Sequence, residues 1–251
     1  MDLETFLVEQ FLAFALVFAR LGAALMFMPG FGEQAVPVRH RLIFALALSA
    51  ALQPVAPVGP VSAADPVALF AALGIEIAIG LWIGLVARIL MSALQFAGYQ
   101  IGMVAGLANA FGPQLGSFEG STMVASGLLM AGIALIFATD LHHVIIGALL
   151  MSYDVFPVGL IMPGDMADQI ARAISSSFWI AVSITAPFYV LGLLINLALG
   201  LANKMLPTLP VFFVAVPGLI VAALLVLALS GPALFTGFLQ FFSDWLATLT
   251  F

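Results

Sequence analysis

The chain reads as an all-α, polytopic membrane protein of about six to seven hydrophobic helices with long bent helical hairpins. Three observations lead there. Of its 251 residues, 64% are hydrophobic and only 7% are charged. A soluble domain carries roughly 25% charged residues, so this chain cannot cover a water-facing surface. The mean hydropathy is +1.25. The apolar residues fall in runs long enough for spanning helices, which need about 20 residues, and not in the short alternating segments of a membrane barrel.

The runs lie near residues 11–28, 42–58, 67–100, 121–151, 177–202, 209–230 and 233–250. "MPGFGEQAVPVRHR" separates the first two and "PVAPVGPVSAADP" follows the second. "YDVFPVGLIMPGD" follows the fourth, "KMLPTLP" the fifth and "SGP" the sixth. Proline lacks the helical donor and glycine is conformationally loose, so these stretches mark breaks. "DMADQIARAISS", residues 165–176, looks like an amphipathic lead-in to a helix. Runs 67–100 and 121–151 contain no proline and exceed the ~30 Å hydrocarbon core, so they must tilt, kink or leave the bilayer within an assembly.

Charge and composition exclude several functions. The net charge is −6 with no basic cluster, which argues against a nucleic-acid partner. Cysteine is absent, so disulfide and thiol chemistry are excluded. The N-terminus "MDLETFLVEQFLAF" is acidic where a signal peptide is basic, and the first apolar helix is expected to be retained. Arg39, Arg41 and Lys204 lie in loops one and five, and Asp65, Asp154, Asp165 and Asp168 in loops two and four. The bias of basic loops toward the cytoplasm then predicts an external N-terminus. The same alternation puts the loop after the third run on the cytoplasmic side.

That loop, "NAFGPQLGSFEGS" from Asn109 to Ser121, is the most unusual stretch. Gly112, Gly116 and Gly120 permit unusual backbone angles, Pro113 stops a helix, Gln114 is polar, and Phe111 and Phe118 bracket the turn. Irregular backbone at membrane depth is tolerated where protein buries it or a cavity is lined. A plug inside a channel meets both demands, and a surface loop with incidental aromatics is the alternative. Ahead of it Gly98, Gly102 and Gly106 form a bare ridge at four-residue spacing, as Gly80 and Gly84 do earlier. Such ridges serve close helix packing, or here an approach of the loop to a pore axis.

Arg20, Glu76 and Arg88 lie inside apolar runs, where charges face the bundle interior and pair. Glu76 is expected to pair with Arg20 or Arg88 and to fix helix register. "ATDLHHVIIG" places Asp140, His142 and His143 in one apolar helix. Asp140 and His143 share a face, whereas the adjacent histidines diverge by ~100°. They suit a structural cluster or a proton relay better than a metal site, and no third ligand is expected nearby. The sequence contains no placed nucleophile, phosphate loop or metal spacing, so neither an enzyme nor a cofactor is indicated. Intramembrane Glu76, Arg88 and Asp140 leave open a secondary transporter with a midplane solute site, although no inverted repeat is visible.

Several motifs coincide in order: "FARLGAALMFMPGFGEQAVPVRHRLIFALALS" (18–49), "GYQIGMVAGLANAFGPQLGSFEGS" (98–121) and "DLHHVIIGALLMSYDVFPVG" (140–159). Together they closely resemble the FliR/SctT family, export-gate components of flagellar and virulence type III secretion systems. The stretch "APFYVLGLLINLALGLANKMLPTLPVFFVAVPGLIVAALLVLALSGP" resembles the hairpin of FliQ. The family pattern is departed from at Gly112, Leu141 and the Lys204–Pro210 turn. The resemblance implies a FliP-like part over 1–165, including a pore loop at 107–120, and a FliQ-like hairpin over 166–251. It further implies one copy of this chain among FliP-like and FliQ-like subunits, contact with an FlhB-like export protein and with membrane lipid, and passage of unfolded exported proteins. The implied location is the bacterial inner membrane at the flagellar basal body, with loop 109–121 helping to close the pore.

Overall fold

The computed structural model describes residues 3–33, 35–59, 65–106, 119–205 and 211–249. Among them seven helices follow in order: α1 (Leu3–Phe27), α2 (Val38–Leu52), α3 (Pro66–Val104), α4 (Glu119–Ala138), α5 (Leu141–Val155), α6 (Pro163–Met205) and α7 (Val211–Thr248). Four are long and apolar enough to cross a membrane, and the bent pair α4–α5 makes a fifth if counted as one span.

Local chemistry explains where the helices begin. Asp65 caps α3: its Oδ1 accepts from the N–H groups of Val67 and Ala68 at 3.0 and 3.2 Å. Pro66 follows at the first helical position, where no amide is needed. α1 and α2 run antiparallel, because Gln53 at the end of α2 donates to Gln10 Oε1 near the start of α1 at 3.0 Å. In α6, Asp165 sits in the first turn and Lys204 in the last, each opposing the helix dipole.

Three boundaries differ from the sequence expectation. The run 121–151 is two helices bent by 79°. The break falls at Asp140, which takes the left-handed conformation with φ 60°. Asp is among the few non-glycine residues that visit this region. Asp140 therefore stands at the N-cap position of α5, without a side-chain capping bond, and is not inside one apolar helix. The lead-in at 165–176 belongs to the 43-residue helix α6, which continues through Pro187. Runs 209–230 and 233–250 form the single helix α7, which passes through Pro217 and Pro232. A helix-interior proline removes one backbone bond, but apolar surroundings leave the chain no better alternative than helix. Ser230 and Thr236 donate to carbonyls one turn back, at Val226 and Pro232, and reinforce the turns around Pro232.

The chain clusters into two compact units. One comprises residues 1–90, 136–174 and 242–251, the other 91–135 and 175–241. The first has the polar interior described below. It also buries the end of α7, with Phe242, Trp245 and Leu246 at most 2% exposed. These units follow spatial contact, whereas the 165/166 division follows resemblance.

Candidate functional site

The first unit is organised around Arg20. Glu76, Gly80 and Gly84 are four residues apart on α3 and so form one stripe, drifting about 40° per step. A Cβ on Gly80 would collide with the Arg20 carbonyl oxygen, and one on Gly84 would lie 2.5 Å from that of Ala24. The bare stripe lets the α1 and α3 backbones touch. That contact brings Glu76 against the Arg20 side chain, and both are fully buried.

All five guanidinium donors of Arg20 are used. Nε and one terminal nitrogen grip the Glu76 carboxylate at 2.6 and 3.0 Å. The other terminal nitrogen donates to Ser152 O and Oγ at 3.0 and 3.3 Å. The last bond reaches Phe156 O at 2.8 Å. Glu76 Oε1 also accepts from the Gly159 amide at 3.3 Å. The guanidinium lies over the Tyr153 ring, 3.9 Å from its centroid. Arginine's planar fork suits this bidentate, stacked arrangement, which lysine could not reproduce. The result joins α1, α3, α5 and the turn after α5. Trp82 adds a strut to the start of α6: its Nε1–H donates to Met166 O at 2.9 Å, and its ring meets Phe156 edge-on.

Sequence reasoning left Glu76 two possible partners, and the structure places it on Arg20. Arg88 has drifted about 120° from Glu76 around α3. It instead faces Glu33 at 3.4 Å in a partly exposed pair. Ser152, Tyr153, Phe156 and Gly159 also belong to the cluster, and sequence reasoning missed their connection to Arg20. The only available signal was their place in the resemblance, because the Ser152 and Phe156 carbonyls and the Gly159 amide act through the backbone and leave no residue-type signature.

Asp140, His142 and His143 lie together at the start of α5. The two histidine rings do not diverge as a straight helix would suggest. Their centroids are 4.1 Å apart, since planar side chains at a helix start can swing toward one another. His143 Nδ1 is 3.9 Å from Asp140 Oδ1, and His142 rests against Phe137 with ring centroids 5.4 Å apart.

In the second unit the glycine ridge is close-packed. A Cβ on Gly98 would lie 2.5 Å from Ala125 Cα, so the end of α3 and the start of α4 touch backbone to backbone. Gly102 is buried. Gly106 is buried with φ 72°, a conformation other residues adopt only with strain. The plug residues Phe111, Gly112, Pro113, Gln114, Gly116 and Phe118 lie outside the described residues. The helix after them begins at Glu119. A groove of about 830 Å³ runs between α6 and α7 and is lined by Ser175, Trp179, Ser183, Pro187, Ser230 and Phe238 among others.

Over-long apolar helices and a buried, fully bonded charge cluster define a polytopic helical membrane protein. The family model described as "Bacterial export proteins, family 1" matches residues 11–245. The chain is 42% identical over 219 residues to a flagellar biosynthetic protein FliR of Caulobacter vibrioides, covering 86% of this chain and 87% of that protein. It is 28% identical to the flagellar biosynthetic protein FliR of Bacillus subtilis, covering 97% and 95%. It is also 29% identical to Yop proteins translocation protein T of Yersinia pestis, covering 82% and 80%. The chain belongs to the bacterial export proteins, family 1.

Proposed function

We propose that this chain is a subunit of the flagellar type III protein export gate in the bacterial inner membrane, at the basal body. The observation that carries the reading is the 42% identity, over 86% of the chain, to a flagellar FliR. The 29% identity to the Yersinia translocation protein supports the equivalent role in a virulence system as the second reading.

In this reading one copy joins FliP-like and FliQ-like subunits and meets an FlhB-like export protein. Residues 1–165 form the FliP-like part and 166–251 the FliQ-like hairpin. The assembly conducts unfolded proteins, without catalysis in this subunit. Helix length supports it. At 1.5 Å per residue, the 43 residues of α6 reach about 64 Å, twice a ~30 Å hydrocarbon core. Surface supports it too: Leu193, Leu197 and Leu201 on α6 and Val221, Leu225 and Leu229 on α7 are 57–75% exposed. Loop 109–121 is assigned the plug role, with Phe111 and Phe118 blocking the passage and the glycines letting the loop bend away. The close packing at Gly98 fits a firm base for such a loop.

The test is the composition of the complex purified in mild detergent from native membranes through a tag on this chain. Two further small helical membrane proteins, in several copies each per copy of this chain, are expected. A lone stable chain that takes up a small solute would overturn the reading in favour of a transporter. Within an assembled complex, deleting residues 110–118 is expected to raise ion leakage, and unchanged membrane tightness would remove the plug role.

A further inference from the structure

We propose that Asp140, His142 and His143 form a binding site for a divalent transition-metal ion at the start of α5. One donor atom from each residue lies within 4.8 Å of the others. Two features point to a ligand. The two imidazoles converge, with centroids 4.1 Å apart, although neighbouring helix positions leave the axis about 100° apart. His142 Nδ1 is buried without a hydrogen-bond partner, whereas buried polar atoms are normally bonded, so the ring holds an unused coordinating atom.

The donor set selects the class of ion. Two imidazoles and one carboxylate suit zinc, cobalt, nickel or ferrous iron, whereas magnesium and calcium take oxygen ligands. Zinc binds nitrogen and carboxylate oxygen at about 2.0–2.2 Å, so donors in a closed site stand nearer than 4.8 Å. The Asp140 and His143 side chains are 80% and 71% exposed, so both can turn inward by the needed distance. The same exposure leaves the outer side of the site open for the remaining coordination positions. The bound ion would tie the cap of α5 to its first turn. α5 is the helix that presents Ser152 and Tyr153 to Arg20, so the ion would steady one wall of that cluster.

The experiment uses the full chain in its native complex, purified without a polyhistidine tag, stripped with a chelator and titrated with cobalt(II). Visible d–d absorption saturating at one ion per chain is expected, with displacement by zinc and none by magnesium or calcium. Loss of an outer-shell partner alone costs a metal site about 10–100-fold in affinity, so His143→Gln and Asp140→Asn should each weaken binding at least about 100-fold. Both positions are exposed, which keeps the fold intact in the variants. His40 is the remaining histidine of the chain, and His40→Gln should leave the titration unchanged. Zinc should also raise the thermal midpoint of the wild type and leave that of His143→Gln where it was. Absence of saturable binding, or binding equally strong in His143→Gln and Asp140→Asn, overturns the site.

Discussion

The first compact unit holds five of the six basic residues, whereas the second carries only Glu119 and Lys204 as charged residues. The interiors differ accordingly. In the first, Arg20, Glu76 and the carbonyls of Ser152 and Phe156 make a bonded knot. In the second, Gly98 lies against Ala125 with no side chain between, and the flanks of α6 and α7 are exposed and apolar. The most apolar window of α7 is only 6% buried, against 44% for that of α1. Lipid gives helices no hydrophobic reason to associate, so they are held by polar bonds or by close backbone contact. The first unit uses both means. The second uses close contact and leaves broad apolar faces for lipid or neighbouring subunits.

The sharpest way to break this contrast is to unpair the knot. Arg20→Ala leaves Glu76 buried and uncompensated, and should cost about 3–5 kcal/mol. The expected readout is loss of the chain from membranes, or a collapse of thermal stability in the purified complex. Replacing both residues, as in Arg20→Met with Glu76→Leu, removes the orphaned charge and should recover much of the loss. If the double variant is no better than the single, the pair has a role beyond stability.

The second unit should respond most to a charge on its outer face. Leu193→Asp is expected to add about 2.5–3.5 kcal/mol to insertion if α6 meets lipid there. A reporter fused after residue 205 would read the change in orientation or yield. Normal insertion with loss of partner subunits would instead identify Leu193 as a protein contact.

Smaller effects test the close packing and the surface pair. Gly98→Val must displace the Ala125 backbone and should cost about 1–3 kcal/mol, measured as a lowered thermal midpoint of the complex. Arg88→Ala removes only the partly exposed contact with Glu33. It should change stability by about 0–1 kcal/mol, within the scatter of most surface pairs. A larger loss there would show that Arg88 is enclosed in the assembly.

Much of this was legible in the residues themselves. Composition alone excluded a soluble fold, and the four-residue spacing of Gly80 and Gly84 pointed to close approach on one face of α3. Arg88 could be excluded by spacing, since twelve residues on one helix set it about 18 Å along and 120° around from Glu76, but that Arg20 would face Glu76 was not legible, because it depends on how two separate helices pack. The proline signals misled at the far end. "SGP" reads as a break, yet α7 continues through it, since local propensity yields where the surroundings offer the backbone no other bonds. The histidine pair misled in the opposite sense. An ideal helix separates the rings, and the left-handed turn at Asp140 starts a new helix where they meet.

The sequence by itself determined the solvent this protein lives in, its helical character and its family, because those follow from composition, run length and ordered motifs. Tertiary structure alone decided which charges pair, where the long run bends and which glycines are pressed against another backbone. Those depend on distances between residues far apart in the chain, such as Arg20 and Phe156, and no local pattern encodes them.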